Sequence, residues 1–226
     1  MRALVLLPLA LAACIQSAPN VAEGSDRPWA TYTIAAGEHD ASVDNREPRN
    51  PIDGVTDVVG RDYELALNDT AMYVLTQPTQ PGDQFDWNKL PGLSDCGSTD
   101  LSTDGAMFGW RWRVDMDPMQ LEITAYANNN GEHITSIAPL VTLSADDLTE
   151  AAPLHYRVAR DQDMYTFSVR GSVGERHVDA ATTITRRCVE MERDPLAWAG
   201  AFYFGGTSVA PQTITAQMRE RPYIED

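Results

Sequence analysis

The chain has 226 residues, with 33 Asp and Glu against 17 Lys and Arg, for a formal charge of −16 at neutral pH. Nucleic acid and anionic membrane surfaces recruit proteins through clustered positive charge, so this balance excludes both as nonspecific partners. Five Trp, eight Tyr, five Phe and a hydrophobic content of 43% indicate a folded chain with a sizeable core rather than a disordered one.

The N-terminus opens on Met1-Arg2 and an apolar run from Ala3 to Ala13, 11 residues long and too short to cross a bilayer as a helix. It ends in Leu11-Ala12-Ala13-Cys14, which resembles the bacterial lipobox. That resemblance implies a diacylglyceryl group on Cys14 and, with N-acylation, enough buried chain for stable anchoring. Ile15 follows where Asp signals inner-membrane retention in many Gram-negative bacteria, so the resemblance implies the outer membrane. The alternative is an ordinary signal peptide, which leaves Cys14 as an odd thiol. Residues 1–13 are thus read as a signal peptide and 14–27 as a tether of small polar residues. Residues 28–226 are read as one monomeric domain that meets the membrane through its anchor only.

A second polar stretch, Gly37 to Asp53, reads as a loop. Beyond it the apolar residues recur with period two, in Tyr63–Leu67, Ala71–Thr76, Ala106–Val114, Met119–Ala127, His155–Arg160, Met164–Arg170, Thr182–Val189, Ala201–Phe204 and Gln212–Met218. Asn128–Gly131 and Asp161–Asp163 read as hairpin turns, and Gly171-Ser172 and Gly206–Ser208 as further turns. The best helix candidate is short, Ser144 to Ala151, and begins Ser-x-x-Asp. Many short strands with Gly, Pro and Asn between them predict an all-β, mostly antiparallel sandwich. Export places Cys96 and Cys188 in an oxidising compartment, where one disulfide is the simplest reading and two buried thiols the alternative.

The phase of two neighbouring strands predicts the content of their faces. Phe108, Trp110, Trp112 and Val114 point one way, with Leu121, Ile123, Ala125 and Ala127. Arg111, Arg113, Glu122, Thr124 and Tyr126 then share the other, polar face. Planar guanidinium groups suit carboxylates, and a Tyr ring offers a stacking surface, so this face is a candidate binding surface for sugar, with the two arginines as a basic island. The plainer reading is a solvated face with cross-strand Arg–Glu pairs. Asp95, Ser98, Asp100, Thr103 and Asp104-Gly105 form an oxygen-rich loop of the kind that holds Ca²⁺, although its spacing is not that of an EF-hand. His39, His133, His155 and His177 show no metal-ligand spacing, and no other cofactor is indicated.

The segment Asn88-Lys89-Leu90-Pro91-Gly92-Leu93, followed by Cys96-Gly97 and a Trp-Arg strand, resembles the KLPG region of jelly-roll polysaccharide lyases acting on alginate and glucuronan. The end of the chain, Tyr203 to Gln212, also looks like the closing strand-turn-strand of bacterial proteins of this kind. The resemblance implies a concanavalin-like jelly roll that binds an acidic polymer along a concave sheet. It also implies a role for Lys89, the one lysine in the chain. The family's Ser-x-Arg falls on Met107 and Gly109, and of its Tyr-x-Tyr only Tyr126 has a counterpart. Lyase chemistry needs a group to neutralise the uronate carboxylate, a base for the C5 proton and an acid for the leaving oxygen. Lys89, Arg111 or Arg113 fits the first role and Tyr126 one of the others. The leading expectation is a lipid-anchored polysaccharide-binding protein with Arg111, Arg113 and Glu122 contacting the glycan. The alternatives are a uronate lyase using Lys89 and Tyr126, and a structural or adhesion protein of the envelope.

Overall fold

Alternation of apolar and polar side chains, carried through most of the chain, folds it into two antiparallel sheets packed face to face. The computed structural model describes residues 28–43, 54–55, 59–98, 101–187, 197–198 and 202–224. Cys14, the segment 1–27, Asp100 and Cys188 lie outside the described residues. The strands are β1 (Ala30–Ile34), β2 (Ala41–Val43), β3 (Gly54–Val55), β4 (Gly60–Leu67), β5 (Asn88–Lys89), β6 (Leu93–Ser94), β7 (Gly105–Arg113) and β8 (Gln120–Asn129). They continue with β9 (Glu132–Thr135), β10 (Val141–Leu143), β11 (Leu154–Arg160), β12 (Met164–Val173), β13 (Arg176–Thr185), β14 (Ala197–Trp198) and β15 (Ile214–Arg221). One sheet has seven strands in the order β13-β12-β11-β4-β15-β1-β2. The other has six, β10-β8-β7-β5, with β6 also on β7 and β9 also on β8, and β3 and β14 form a separate pair.

The core lies between the inner faces of these sheets. Tyr63, Tyr156, Val158, Tyr165, Phe167, Ile214 and Met218 come from the larger sheet, and Phe108, Trp110, Trp112, Leu121, Ile123 and Ala125 from the smaller. Phe108 joins the two layers, meeting Tyr156 edge-on at 5.2 Å and Phe167 at 5.4 Å between ring centroids. Such pairs add roughly 0.5–1.5 kcal/mol each beyond the area they bury. The helix α1 (Ala145–Glu150) forms where Ser-x-x-Asp stands. The Ser144 hydroxyl accepts from the Asp147 N–H, the Asp147 carboxylate accepts from the Ser144 N–H, and Leu148 is buried.

Several expectations from the sequence are corrected. Residues 71–76 are not a strand: Asn68 caps a 3-10 turn over Asp69–Ala71 and the chain then runs irregularly. Its backbone groups are taken by side chains instead, with Gln84 Oε1 accepting from Leu75 N at 2.7 Å and Gln212 Nε2 donating to Thr70 O at 2.8 Å. This is the competition that side-chain groups offer to a ladder. Gly171 and Ser172 lie within β12, and the reversal falls beyond them, before β13. That last strand begins earlier than expected, at Arg176, and ends at Thr185. Around Tyr203 only isolated bridges form, to Asp40 and Lys89. In the other direction, β1 lies where no strand was expected, and β2 lies within the segment read as a loop. The turns at Asn130-Gly131 and Asp161–Asp163 fall where expected, between β8 and β9 and between β11 and β12.

Candidate functional site

The KLPGL segment divides its residues between fold and face. Asn88 is 1% exposed, and its side chain points inward, donating to the Tyr73 hydroxyl at 3.0 Å and accepting from Gly205 N at 2.8 Å. Leu90 and Leu93 enter the core. Pro91 and Gly92 cross from the smaller sheet towards the larger, where Tyr63 Oη donates to Pro91 O at 2.8 Å and Arg61 Nη1 to Gly92 O at 2.9 Å. A Cβ on Gly92 would sit 2.2 Å from Ala106 O and 2.4 Å from Met107 Cβ, so only glycine fits this crossing. By alternation Lys89 alone turns outward, onto the exterior face of the six-stranded sheet.

On that face the register places Lys89 opposite Gly109, Gly109 opposite Thr124, Met107 opposite Tyr126 and Arg111 opposite Glu122. The Lys89 ammonium lies 4.2 Å from the centre of the Tyr126 ring and donates to Trp87 O. No carboxylate lies within ion-pair distance of it among the described residues. Burial lowers the Lys89 pKa to about 8, with Asp86 pulling the other way. Burial, then the charge of Asp86, raises the Tyr126 phenol to about 12, so it is a proton donor at neutral pH. Its hydroxyl has no hydrogen-bond partner among the described residues.

The two arginines are engaged within the protein. Arg111 Nε donates to Glu122 Oε2 at 2.9 Å, and its Nη1 to Phe85 O at 3.0 Å. Arg113 Nη1 donates to Glu122 Oε1 at 2.9 Å, while its Nε and Nη2 chelate Asp115 at 2.7 and 2.8 Å. The hydrogen bond from Arg113 in turn lowers the Asp115 pKa to about 2. Glu122, only 4% exposed, therefore bridges two guanidinium groups, and the arginines form part of a neutral lattice rather than a basic island.

Three further groups, far apart in sequence, join Lys89 and Tyr126. Tyr203 pairs with Lys89 through two backbone bonds of 2.8 and 3.0 Å, which sets their side chains on the same side. His39 stacks on Tyr203 at 5.4 Å and 13°, with Nδ1 donating to Phe204 O at 2.7 Å. His133 lies opposite Asn128 on β9, 5.9 Å from the Tyr126 ring, with Nδ1 against Asn128 Oδ1 at 2.5 Å. The Asn128 amide nitrogen is itself held by Leu101 O, so its oxygen faces the imidazole and accepts from Nδ1. Both histidines are thereby fixed with Nε2 as the unprotonated nitrogen when neutral. The sequence signal for His133 was the Asn-Gly turn, which puts Asn128 and His133 across from each other. No local signal pointed to His39 or Tyr203.

Two carboxylates of the oxygen-rich loop are engaged within the protein. The Asp95 carboxylate, fully buried, faces Arg160, Arg186 and the Tyr165 hydroxyl, and Asp104 accepts from Asn130 N at 2.8 Å. Among the described residues no group of three or more His, Cys, Asp or Glu side chains is placed to hold a metal ion. Cys96 is buried beside Asp95, and its expected partner, Cys188, lies outside the described residues.

No protein-family model matches the chain, and no curated protein does. Among solved structures, the alginate lyase from Klebsiella pneumoniae aligns with 70% of this chain and 57% of its own, at 11% identity and a TM-score of 0.45. A functionally unknown protein from Saccharomyces cerevisiae aligns over 87% of this chain and 88% of its own, at 10% identity and a TM-score of 0.43. The GH43 BlXynB protein from Bacillus licheniformis aligns over 87% of this chain and 34% of its own, at 15% identity and a TM-score of 0.43. The chain thus spans little more than half of the lyase and about a third of the GH43 protein. Function resides in side chains rather than in architecture, and none of these likenesses assigns one.

Proposed function

We propose that this protein binds an acidic polysaccharide on the exterior face of its six-stranded sheet, held to the outer membrane by lipid on Cys14. The observation that carries this reading is Lys89: a partly buried ammonium on the exterior sheet face, set over the Tyr126 ring, with no carboxylate within ion-pair distance among the described residues. A desolvated cation that has only the more distant charge of Asp86 is costly, and a uronate carboxylate supplies a direct ion-pair contact. The hydroxyls of Tyr126 and Tyr203 and the Nε2 atoms of His39 and His133 surround it with groups suited to sugar hydroxyls. Calorimetric titration of residues 28–226 with alginate, polyglucuronate and polygalacturonate tests this. Binding of at least one polymer, lost in Lys89→Met, is expected; the absence of binding to all three overturns it.

A second reading is favoured by one feature, the meeting of a protonated phenol, a tautomerically fixed imidazole and an ammonium at Tyr126, His133 and Lys89. These suit β-elimination. A base such as His133 Nε2 takes the C5 proton, the C4–O bond breaks as the C4–C5 double bond forms, and Tyr126 protonates the leaving oxygen. Lys89 stabilises the charge that builds on the carboxylate. Far-ultraviolet absorbance of unsaturated uronate, present in the wild type and absent in Tyr126→Phe, is the expected signature. Binding without that absorbance leaves the glycan-binding reading alone.

A further inference from the structure

The chain that leads into β5, a 3-10 turn over Asp83–Phe85 followed by Asp86 and Trp87, lies against β7. Two residues back, Trp87 lies beside Arg111, whose guanidinium carbon is 3.9 Å from the indole centre. Two residues further back, Phe85 lies near Arg113, at 6.0 Å. Gly109, Arg111 and Arg113 follow one another at alternate positions on one face of β7, so Lys89, Trp87 and Phe85, which lie against them, form a line along that face, roughly 7 Å apart. Phe85 is 37% exposed, an unusual position for an aromatic side chain.

The segment bearing these rings is held firmly from both sides. Gln84, 7% exposed, donates to Trp112 O at 3.2 Å, and Arg111 holds Phe85 O at 3.0 Å. Asp83 accepts from the hydroxyls of Thr207 and Ser208. A rigid aromatic surface loses little conformational freedom on binding, which favours a platform over a chance exposure. The charge beneath it is balanced, because Arg111 and Arg113 are matched by Glu122 and Asp115.

Building on the glycan-binding reading of Lys89, we infer that Trp87 and Phe85 are stacking platforms for the next two sugar rings, and that they accept pyranose rings whether or not these carry a carboxylate. The apolar face of a pyranose lies on an aromatic ring without needing charge, and a carboxylate gains nothing over a neutralised guanidinium pair. The ligand class is thus a polysaccharide with a uronate at one position and uncharged sugars tolerated at the two that follow.

The test uses the full chain carrying Cys14→Ser and three calorimetric probes: glucuronate, tetraglucuronate, and a tetrasaccharide with one terminal glucuronate on three neutral pyranoses. Both tetrasaccharides should bind within about threefold of each other, and each at least tenfold more tightly than the monomer. Trp87→Ala and Phe85→Ala should each weaken tetrasaccharide binding on the order of tenfold and leave the monomer unchanged. Trp87→Phe, which keeps a ring and guards against a folding artefact, should restore most of the loss. If both alanine variants bind the tetrasaccharides like the wild type while Lys89→Met abolishes binding, the platforms are refuted and the Lys89 site stands. If the singly charged tetrasaccharide binds more than tenfold less tightly than tetraglucuronate, the tolerance for neutral sugars is refuted. If no probe binds the wild type, both readings fall.

Discussion

Replacing Asp95 with asparagine removes a fully buried anion at the junction of the two sheets while keeping its size and shape. The carboxylate is fully buried, with Arg160 Nη1 at 2.6 Å, Arg186 Nη2 at 2.9 Å and the Tyr165 hydroxyl at 2.9 Å. Both arginine side chains are only 11% exposed, so in the variant they are left with little water and no carboxylate from this residue. Breaking a buried pair from one side costs about 3–5 kcal/mol. For a chain of this length that corresponds to a fall in Tm on the order of 10 °C. Burial pushes the Asp95 carboxyl up, but the hydrogen bonds from Arg186, the Cys96 N–H and Arg160 outweigh it and hold the group below its ordinary range. Its contribution is therefore full above about pH 4, the unfolded value, and is lost as pH falls through the depressed native value. Urea unfolding should show a lower midpoint at unchanged slope at pH 7, with the gap from wild type narrowing below about pH 4. A loss under about 1 kcal/mol at pH 7, or a gap that persists in strong acid, refutes the stabilising role of the ion pairs from Asp95 to Arg160 and Arg186.

Gly92→Ala should destabilise by several kcal/mol, since its Cβ would lie 2.2 Å from a backbone oxygen, whereas Gly82→Ala, with nothing within 4 Å, should be nearly neutral in the same melts. The Asp95–Arg186 ion pair draws residues 95 and 186 together, one and two positions from Cys96 and Cys188. A non-reducing peptide map should accordingly join these cysteines, and reduction should cost about 4 kcal/mol; separate thiol peptides would count against the bridge. Expressed in a Gram-negative host, the chain should incorporate labelled fatty acid and fractionate with membranes, and Cys14→Ser should abolish both; label retained in that variant would contradict the anchor.

The smaller sheet was legible because its two central strands each bury one face. With Phe108, Trp110, Leu121 and Ile123 facing the core, Arg111, Arg113, Glu122 and Tyr126 are forced outward, and the pairing of Arg111 with Glu122 follows. The helix at 145–150 and the Asn130-Gly131 turn were legible for local reasons of capping and positive φ. What was not legible is long-range. His39 meets Phe204 across 165 positions, and no periodicity records that Tyr203 bridges to Lys89. The alternation of buried Ala71 and Tyr73 imitates a strand, yet with Gln84 and Gln212 taking its backbone groups no ladder forms. The charge of the arginines misled for a related reason. Composition counts each guanidinium as a free cation, but Glu122 and Asp115 neutralise both, whereas Lys89 has no carboxylate within ion-pair distance among the described residues.

Lys89 is therefore where the account is most exposed to test. Its pKa, lowered from 10.5 to about 8 by burial, means that the folded protein resists protonating it, so in the free protein this group opposes stability increasingly as pH falls from 10.5 and in full below about pH 8. A bound carboxylate reverses that preference and draws a proton onto the amine. The decisive measurement is the affinity for polyglucuronate between pH 6 and about 10, for wild type and Lys89→Met. The account predicts binding that is strong at pH 6, falls as pH rises through about 8 with proton uptake on binding, and is absent from the variant. Binding that is equal in the two proteins, or flat with pH in the wild type, would contradict it.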